Sequence, residues 1–156
     1  SGNVYGPGDL HWDRLVPGTI RSALFGEAPL IRSDGLYKRD YIYVGDIVHA
    51  YLLALDGLLS GKLQKGQGIN FGARRSYTVL GVVHKILAAL GRADLQPVVQ
   101  NHARSEIIEQ HVEFEQARSL LGWTPAVSLD LGLRRAIEWY RRYFNVERAR
   151  TTQEAA

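Results

Sequence analysis

The sequence contains no cysteine and no methionine in 156 residues. Without cysteine there can be no disulfide, no thiolate metal site and no cysteine nucleophile, and a reducing cytoplasmic setting is the expectation. The lack of methionine, in a chain that starts at Ser1, leads us to expect a piece of a longer protein. Long apolar runs are missing too. The best candidate, Ala50 to Leu59, is interrupted by Asp56 and falls short of the ~20 residues that span a bilayer. The first ten residues hold neither a cationic nor an apolar segment, so no secretory signal and no membrane partner are expected. Lysine is scarce, occurring only at Lys38, Lys62, Lys65 and Lys85, so the +3 formal charge is carried mainly by arginine. The planar guanidinium fork suits phosphate and carboxylate, although an arginine-rich genome explains the same bias.

Familiar catalytic signatures are also absent. The nearest approach to a phosphate loop, Gly57 to Lys62, has the wrong spacing, and no G-x-S-x-G occurs. His11, His49, His84, His102 and His111 show no metal-ligand spacing. His49 and His84 fall on the polar sides of their helices. No tyrosine is followed by lysine four residues on. No catalytic residue and no metal ligand is therefore nominated.

What remains is an ordinary globular composition, 46% hydrophobic and 22% charged. A domain of this size buries roughly 70% of its unfolded surface and needs no staple. Short apolar runs alternate with helical periodicities, which means an α/β class. The opening residues read as a strand end running into a Gly/Pro turn. Asp13 is the expected cap of a helix with Leu15, Val16, Ile20, Ala23 and Leu24 in period, closed by Gly26. Asp40 to Val44 reads as a strand. A helix from about Asp46 carries Ile47, Ala50, Tyr51, Ala54, Leu55 and Leu58 on one stripe. Ile69 to Gly72 and His111 to Phe114 read as further short strands, as does Pro97 to Val99. Thr78 caps a helix with Val79, Val82, Val83, Ile86, Leu87 and Leu90 in register, ended by Gly91. Glu115 to Leu121 is a short helix stopped by Gly122. Ser128 caps a last helix, and residues 146–156 read as a frayed tail.

Three polar clusters carry chemical interest. Asn3-Val-Tyr-Gly-Pro-Gly8 ends a strand, where open α/β sheets place ligands, and where an ordinary loop is the alternative. Arg32-Ser-Asp-Gly35 followed by Arg39 sets two arginines seven residues apart. They either grip a phosphate bidentately or, at Arg39, pair with Asp40 or Asp46 at the surface. Arg104 to His111 is a polar loop ahead of a strand.

In combination these clusters resemble the C-terminal half of the NAD-dependent epimerase/dehydratases, the extended short-chain dehydrogenases. The resemblance is carried by Asn3 to Gly8, by Pro29 to Gly35 and by Arg39-Asp-Tyr-Ile-Tyr-Val-Gly-Asp46. Ile69 to Leu80 and Gln116 to Leu133 extend it over residues 2–144. Within the family, Gly8 to Arg21 with Ile31 to Gly35 is most similar to the CDP-glucose 4,6-dehydratase branch. UDP-, dTDP- or GDP-sugar branches remain alternatives, and so does a stand-alone anion- or nucleic-acid-binding module, which a pI near 9.3 would suit. Gly45 stands where the family has an acidic residue, and Gln116 where it has lysine.

The resemblance implies a fold and a task. Residues 1–9 and 40–91 would form the tail of a Rossmann layer. Residues 10–39 and 92–145 would form a small α/β substrate lobe. The reaction would oxidise a sugar at C4 with NAD, eliminate water across C5 and C6, and return hydride to C6. The NAD loop and the tyrosine–lysine pair would lie in the half that precedes these motifs. This chain would supply the substrate-binding portion, inactive alone and free of nucleic acid. Arg39 and Arg104 would hold the diphosphate, with Arg32 beside them. Asn3 would bond phosphate or sugar. Trp12, Leu15, Val16, Pro17 and Ile31 would wrap the base and ribose. A homo-oligomer is the expected assembly.

Overall fold

The computed structural model describes residues 1–102 and 107–146. β1 (Asn3–Tyr5) leads through a glycine-rich turn into α1 (Leu15–Leu24). β2 (Leu30–Ile31), β3 (Lys38–Arg39) and β4 (Tyr41–Tyr43) follow, and β4 runs directly into α2 (Val44–Leu59). Beyond a polar loop come β5 (Tyr77–Thr78), α3 (Val79–Leu90), β6 (Val98–Val99), α4 (Glu115–Leu121) and α5 (Leu129–Tyr143). Among the described residues the strands form three pairs. β1 and β4 are parallel with Asn3, Val4 and Tyr5 opposite Tyr41, Ile42 and Tyr43. β2 and β6 are parallel, and β3 and β5 antiparallel.

The period of two along β4 sorts the core. Tyr41 faces a cluster with Tyr5, Val16 and Ile20 of α1, Val82 and Ile86 of α3, and Leu133 and Tyr140 of α5. Ile42 faces the opposite cluster, with Ile47, Ala50, Phe71 and Trp123. Helices α1, α3 and α5 thus cover one side of the β1–β4 pair, and α2 and α4 the other. A third cluster of Ala23, Ile31, Val83 and Leu87 ties the β2–β6 pair to α1 and α3.

Several expectations are met in atomic detail. The Thr78 hydroxyl accepts from the Gly81 N–H at 3.1 Å, the Ser128 hydroxyl from the Leu131 N–H at 3.3 Å, and Gly91 and Gly122 take the left-handed C-terminal conformation. Others are corrected. The residue before α1 is Arg14, and Asp13 does not cap it. The Arg14 N–H bonds to the His11 carbonyl, closing a turn that leaves Asp13 outside. Residues 69–72 form no strand; one bond, from the Gly2 N–H to the Phe71 carbonyl, is what brings them beside β1. Residues 111–114 form no strand either, because the Val112 N–H turns to the Asp40 side chain. The helix after β4 starts at Val44, two residues early. Its apolar residues occupy two faces: Ile47 and Ala50 are buried, whereas Val48, Tyr51, Leu52, Leu55 and Leu59 are exposed.

That exposed stripe follows a helical i, i+3, i+4, i+7 spacing and is an unusual load of apolar surface for a soluble helix. The 156-residue chain is therefore expected to self-associate as its concentration rises. Replacing Tyr51 and Leu55 together by lysine should shift sedimentation toward monomer while leaving the far-ultraviolet spectrum unchanged; an unaltered sedimentation profile would show that the stripe is not the contact.

Asp40 has no exposed surface. Its two oxygens accept from the Ala73 N–H at 2.7 Å and the Val112 N–H at 2.9 Å. Burial raises its carboxyl above the usual range, against the pull of those two donors. An acid with a higher pKa in the folded than in the unfolded chain favours folding when protonated. Its contribution is complete below the unfolded value of about 4 and is lost as pH rises through the raised native value. In urea titrations, wild type should lose stability relative to Asp40→Asn as pH climbs from about 3 to about 7. A pH-independent difference would contradict this. Asp40→Ala, which strands two buried donors, should cost about 2–4 kcal/mol.

Candidate functional site

Two clefts meet at the start of α1. The first, about 510 Å³, lies between β1 and the helix. Asn3 comes from the strand, Leu15, Val16 and Pro17 from the first turn of the helix, and Asp9 and Arg14 from the connection. Tyr41 closes the wall from β4. The second cleft, about 300 Å³, takes in Trp12, Leu15, Ile31 and Arg32. Arg14 and Leu15 border both, so the two form one bent surface around the helix start.

The connection that builds this surface is held at both ends. Gly8 has φ +82°, the left-handed region that glycine tolerates. The Asp9 carboxylate accepts from the His11 N–H at 3.1 Å, an Asx turn, and from the Arg14 guanidinium at 3.1 Å. Partial burial works against the charged form of Asp9, but the His11 and Arg14 bonds outweigh it and hold the carboxyl below the ordinary range. The Tyr140 hydroxyl donates to the Asp9 carbonyl at 2.6 Å, anchoring the turn to α5. Trp12 sits against Tyr140 and Phe144, with the Arg21 guanidinium 5.8 Å from its ring.

Of the residues nominated from sequence, Asn3, Leu15, Val16 and Pro17 share the first cleft, and Trp12, Leu15, Ile31 and Arg32 the second. The Arg32 guanidinium meets the Asp13 carboxylate at 2.6 Å across the mouth of the second cleft. Arg39 lines neither cleft. It donates to the Lys38 and Ile107 carbonyls at 3.0 and 2.6 Å and lies 5.5 Å from the Tyr37 ring. Its strand register sets it opposite Tyr77, whose hydroxyl accepts from the Arg75 guanidinium at 2.6 Å. Arg104 lies outside the described residues. Among the described residues no group of three or more acidic or histidine side chains is placed to hold a metal ion, and no helix is long and apolar enough to cross a membrane.

Sequence reasoning missed Asp9, Arg14, Tyr41 and Arg75. The Gly-Asp pair at 8–9 carries an Asx-turn signal that points to Asp9, and the adjacent Arg74 and Arg75 before an aromatic residue mark a basic ribbon. Nothing local singles out Tyr41.

Comparison with known proteins gives a consistent result. Residues 1–70 match the profile of the NAD dependent epimerase/dehydratase family. The chain is 30% identical over 141 residues to a UDP-glucose 4-epimerase of Mycolicibacterium smegmatis, covering 89% of this chain and 43% of that protein. It is 29% identical to a dTDP-glucose 4,6-dehydratase of Haemophilus influenzae, covering 90% and 43%. A crystal structure of the UDP-glucose 4-epimerase of Thermotoga maritima with UDP-glucose superimposes with a TM-score of 0.78 at 32% identity, over 92% of this chain and 45% of that one. The chain thus spans less than half the length of these relatives.

The Asp13–Arg32 pair is exposed on both sides, so its contribution to stability is under ~1 kcal/mol. It competes, however, with any anion seeking Arg32. Asp13→Asn should leave the melting temperature within a few degrees and strengthen binding of CDP a fewfold in calorimetric titration. Weaker binding would show that Asp13 itself helps to hold the ligand.

Proposed function

We propose, for this member of the NAD-dependent epimerase/dehydratase family with the α/β fold of its C-terminal portion, that the chain is the nucleotide-sugar-binding part of a lyase that converts CDP-glucose to CDP-4-keto-6-deoxyglucose with NAD, in the cytoplasm. The observation that carries the reading is the convergence of Asn3, Leu15, Val16 and Pro17 on one cleft, continuous with a second that holds Trp12, Ile31 and Arg32. An amide beside an apolar helix face suits a sugar and its first phosphate. An indole and an isoleucine suit a pyrimidine and its ribose. Arg32, and Arg39 on the neighbouring ribbon, offer guanidinium forks to a diphosphate.

The residues present do not fit the dinucleotide. Gly6-Pro7-Gly8 follows β1, but His11 stands where the G-x-G-x-x-G turn that carries a dinucleotide pyrophosphate has its last glycine. No tyrosine–lysine pair at the required spacing is present either. NAD, the hydride acceptor in this chemistry, therefore belongs to residues other than these. The role of this chain is to bind, orient and desolvate the substrate. Alone, it is expected to form no 4-keto product from CDP-glucose.

A second reading keeps the same task with another nucleotide. The likeness to enzymes named for UDP-glucose and dTDP-glucose favours it. Ranking CDP-, UDP- and dTDP-glucose by thermal shift separates the two, and the first reading requires CDP-glucose to stabilise most. Arg39→Ala should weaken CDP-glucose binding about ten- to a hundredfold, the loss expected for a charge-assisted bond of roughly 1.5–3 kcal/mol. Arg39→Lys should recover part of it, because the charge returns without the fork. Because Arg39 also holds the Ile107 carbonyl, the melting temperature of each variant must be read alongside. Unchanged affinity in Arg39→Ala would remove this residue from the site.

A further inference from the structure

Among the side chains that line the second cleft, Thr19 of α1, Ile31 of β2 and Ser33 just beyond it are buried, and they form its floor. The Ser33 hydroxyl accepts from the Gly35 N–H at 3.2 Å. Thr19 is only 4% exposed, and its hydroxyl has no hydrogen-bond partner among the described residues. No fully enclosed side-chain oxygen or nitrogen among them lacks one, so the Thr19 hydroxyl touches open space. Thr19 borders the second cleft, and neither the first nor the cavity beside Tyr77. The space it touches is therefore the floor of the second cleft. A threonine inside a helix commonly returns its hydroxyl to a carbonyl three or four residues back, and Thr19 does not. Packing alone would be served by valine, which has the same outline, and a buried hydroxyl without a partner is destabilising.

The charges of this cleft lie at its rim. Arg32 and Asp13 meet at 2.6 Å with side chains 66% and 89% exposed, and the exposed Arg21 lies over the Trp12 ring. Elsewhere the wall is apolar, as at Ile31 and Val79, or neutral, as at the Gln100 amide. Gln100 is held beside the floor because its main-chain N–H donates to the Ile31 carbonyl at 2.8 Å. Such a cleft fits a ligand that keeps its anionic groups at the rim and sets an uncharged, hydrogen-bonding ring on the floor. In a nucleoside diphosphate the base is the part furthest from the phosphates. A hydroxyl suits it, since it donates to a ring carbonyl or accepts from a ring amino group. Resting on the nucleotide-sugar reading above, we infer that the Thr19 hydroxyl is a base-binding group, hydrogen-bonded to the pyrimidine on the floor of the second cleft.

The test compares the 156-residue chain with its Thr19→Val variant, titrated with CDP and with 2′,3′-dideoxy-CDP by ligand-detected NMR. Because no protein hydrogen bond is lost and the two residues have similar helix propensity, the variant should melt at or slightly above the wild-type temperature. It should bind CDP roughly three- to tenfold more weakly, the loss of one neutral hydrogen bond, with the same loss for the dideoxy compound. Equal affinity for CDP in both proteins overturns the role of Thr19 and leaves the nucleotide-sugar reading standing. A loss seen with CDP but not with the dideoxy compound, or a dideoxy compound that wild type does not bind, places the contact on the ribose hydroxyls and overturns the assignment to the base. A variant that melts well below wild type overturns it too, since the hydroxyl would then be serving the fold. Wild type that binds neither ligand overturns the reading and the inference together.

Discussion

A single buried carboxylate holds the two halves of the sequence against each other. Asp40 precedes β4, the strand that divides the core, and its oxygens are spent on the Ala73 and Val112 main chain. Three segments far apart in sequence therefore meet at one side chain. The Asn3 N–H joins them by donating to the Asp40 carbonyl at 2.6 Å. Packing is tight enough to dictate residue type. A Cβ on Gly2 would come within 2.6 Å of the Asp40 carbonyl oxygen, and one on Gly72 would collide with the Val112 carbonyl. Because strand pairing here is only two or three residues long, the ladders alone supply few bonds. A buried hydrogen-bonding hub between the 71–73 and 112 segments does what longer strands do in larger sheets. The result places Asn3 and Tyr41 side by side in register, which is the floor of the first cleft.

The end of the chain then fixes the roof. Asp46, in the first turn of α2, accepts the Trp123 indole N–H at its carbonyl and the Val127 N–H at its carboxylate, both at 3.0 Å. This pair sets where α5 begins. Along α5, Gly132 lies against the Tyr5 hydroxyl with no room for a Cβ, and Tyr140 reaches the Asp9 carbonyl. The turn that carries Asp9 and Trp12 is thus braced by a helix more than a hundred residues downstream. Loops that bear binding residues commonly owe their shape to such a rigid support rather than to their own sequence.

This division explains what could be read from the sequence. The strong helices were legible because their signals are local: Thr78 and Ser128 at the caps, Gly91 and Gly122 at the stops, and a clean 3.6 period between. A family likeness in order and spacing nominated Asn3, Trp12, Leu15 to Pro17, Ile31 and Arg32, which line the bent cleft, but also Arg39, which lines neither part of it, and Arg104, which lies outside the described residues. What stayed hidden depends on distant partners. Asp40 beside Arg39 looks like half of a surface pair, and only its contacts with residues 73 and 112 reveal a buried hub. Ile69 to Gly72 has the composition of a strand but makes a single sheet-like bond, through Phe71. The apolar residues of α2 fit one stripe on paper, but a helix this rich in leucine has two, and composition does not say which is covered. Asp13 has the chemistry of a cap, yet the His11–Arg14 turn points it outward to Arg32.

Charge is partitioned across the bent cleft in a way that gives a ligand a direction. In the first cleft Asp9 and Arg14 neutralise each other, and the remaining polar groups are uncharged. Toward the second cleft and the β3–β5 ribbon the balance becomes basic. Arg32 stands at the mouth with an exposed carboxylate as its only partner among the described residues, Lys38, paired with Glu109, shares β3 with Arg39, and Arg75, just before β5, donates to the Tyr77 hydroxyl. The proposed ligand, with a polyol at one end and a diphosphate further along, matches this partition of charge. On the proposed nucleotide-sugar reading, the charge of the wall is what distinguishes one end of the ligand from the other.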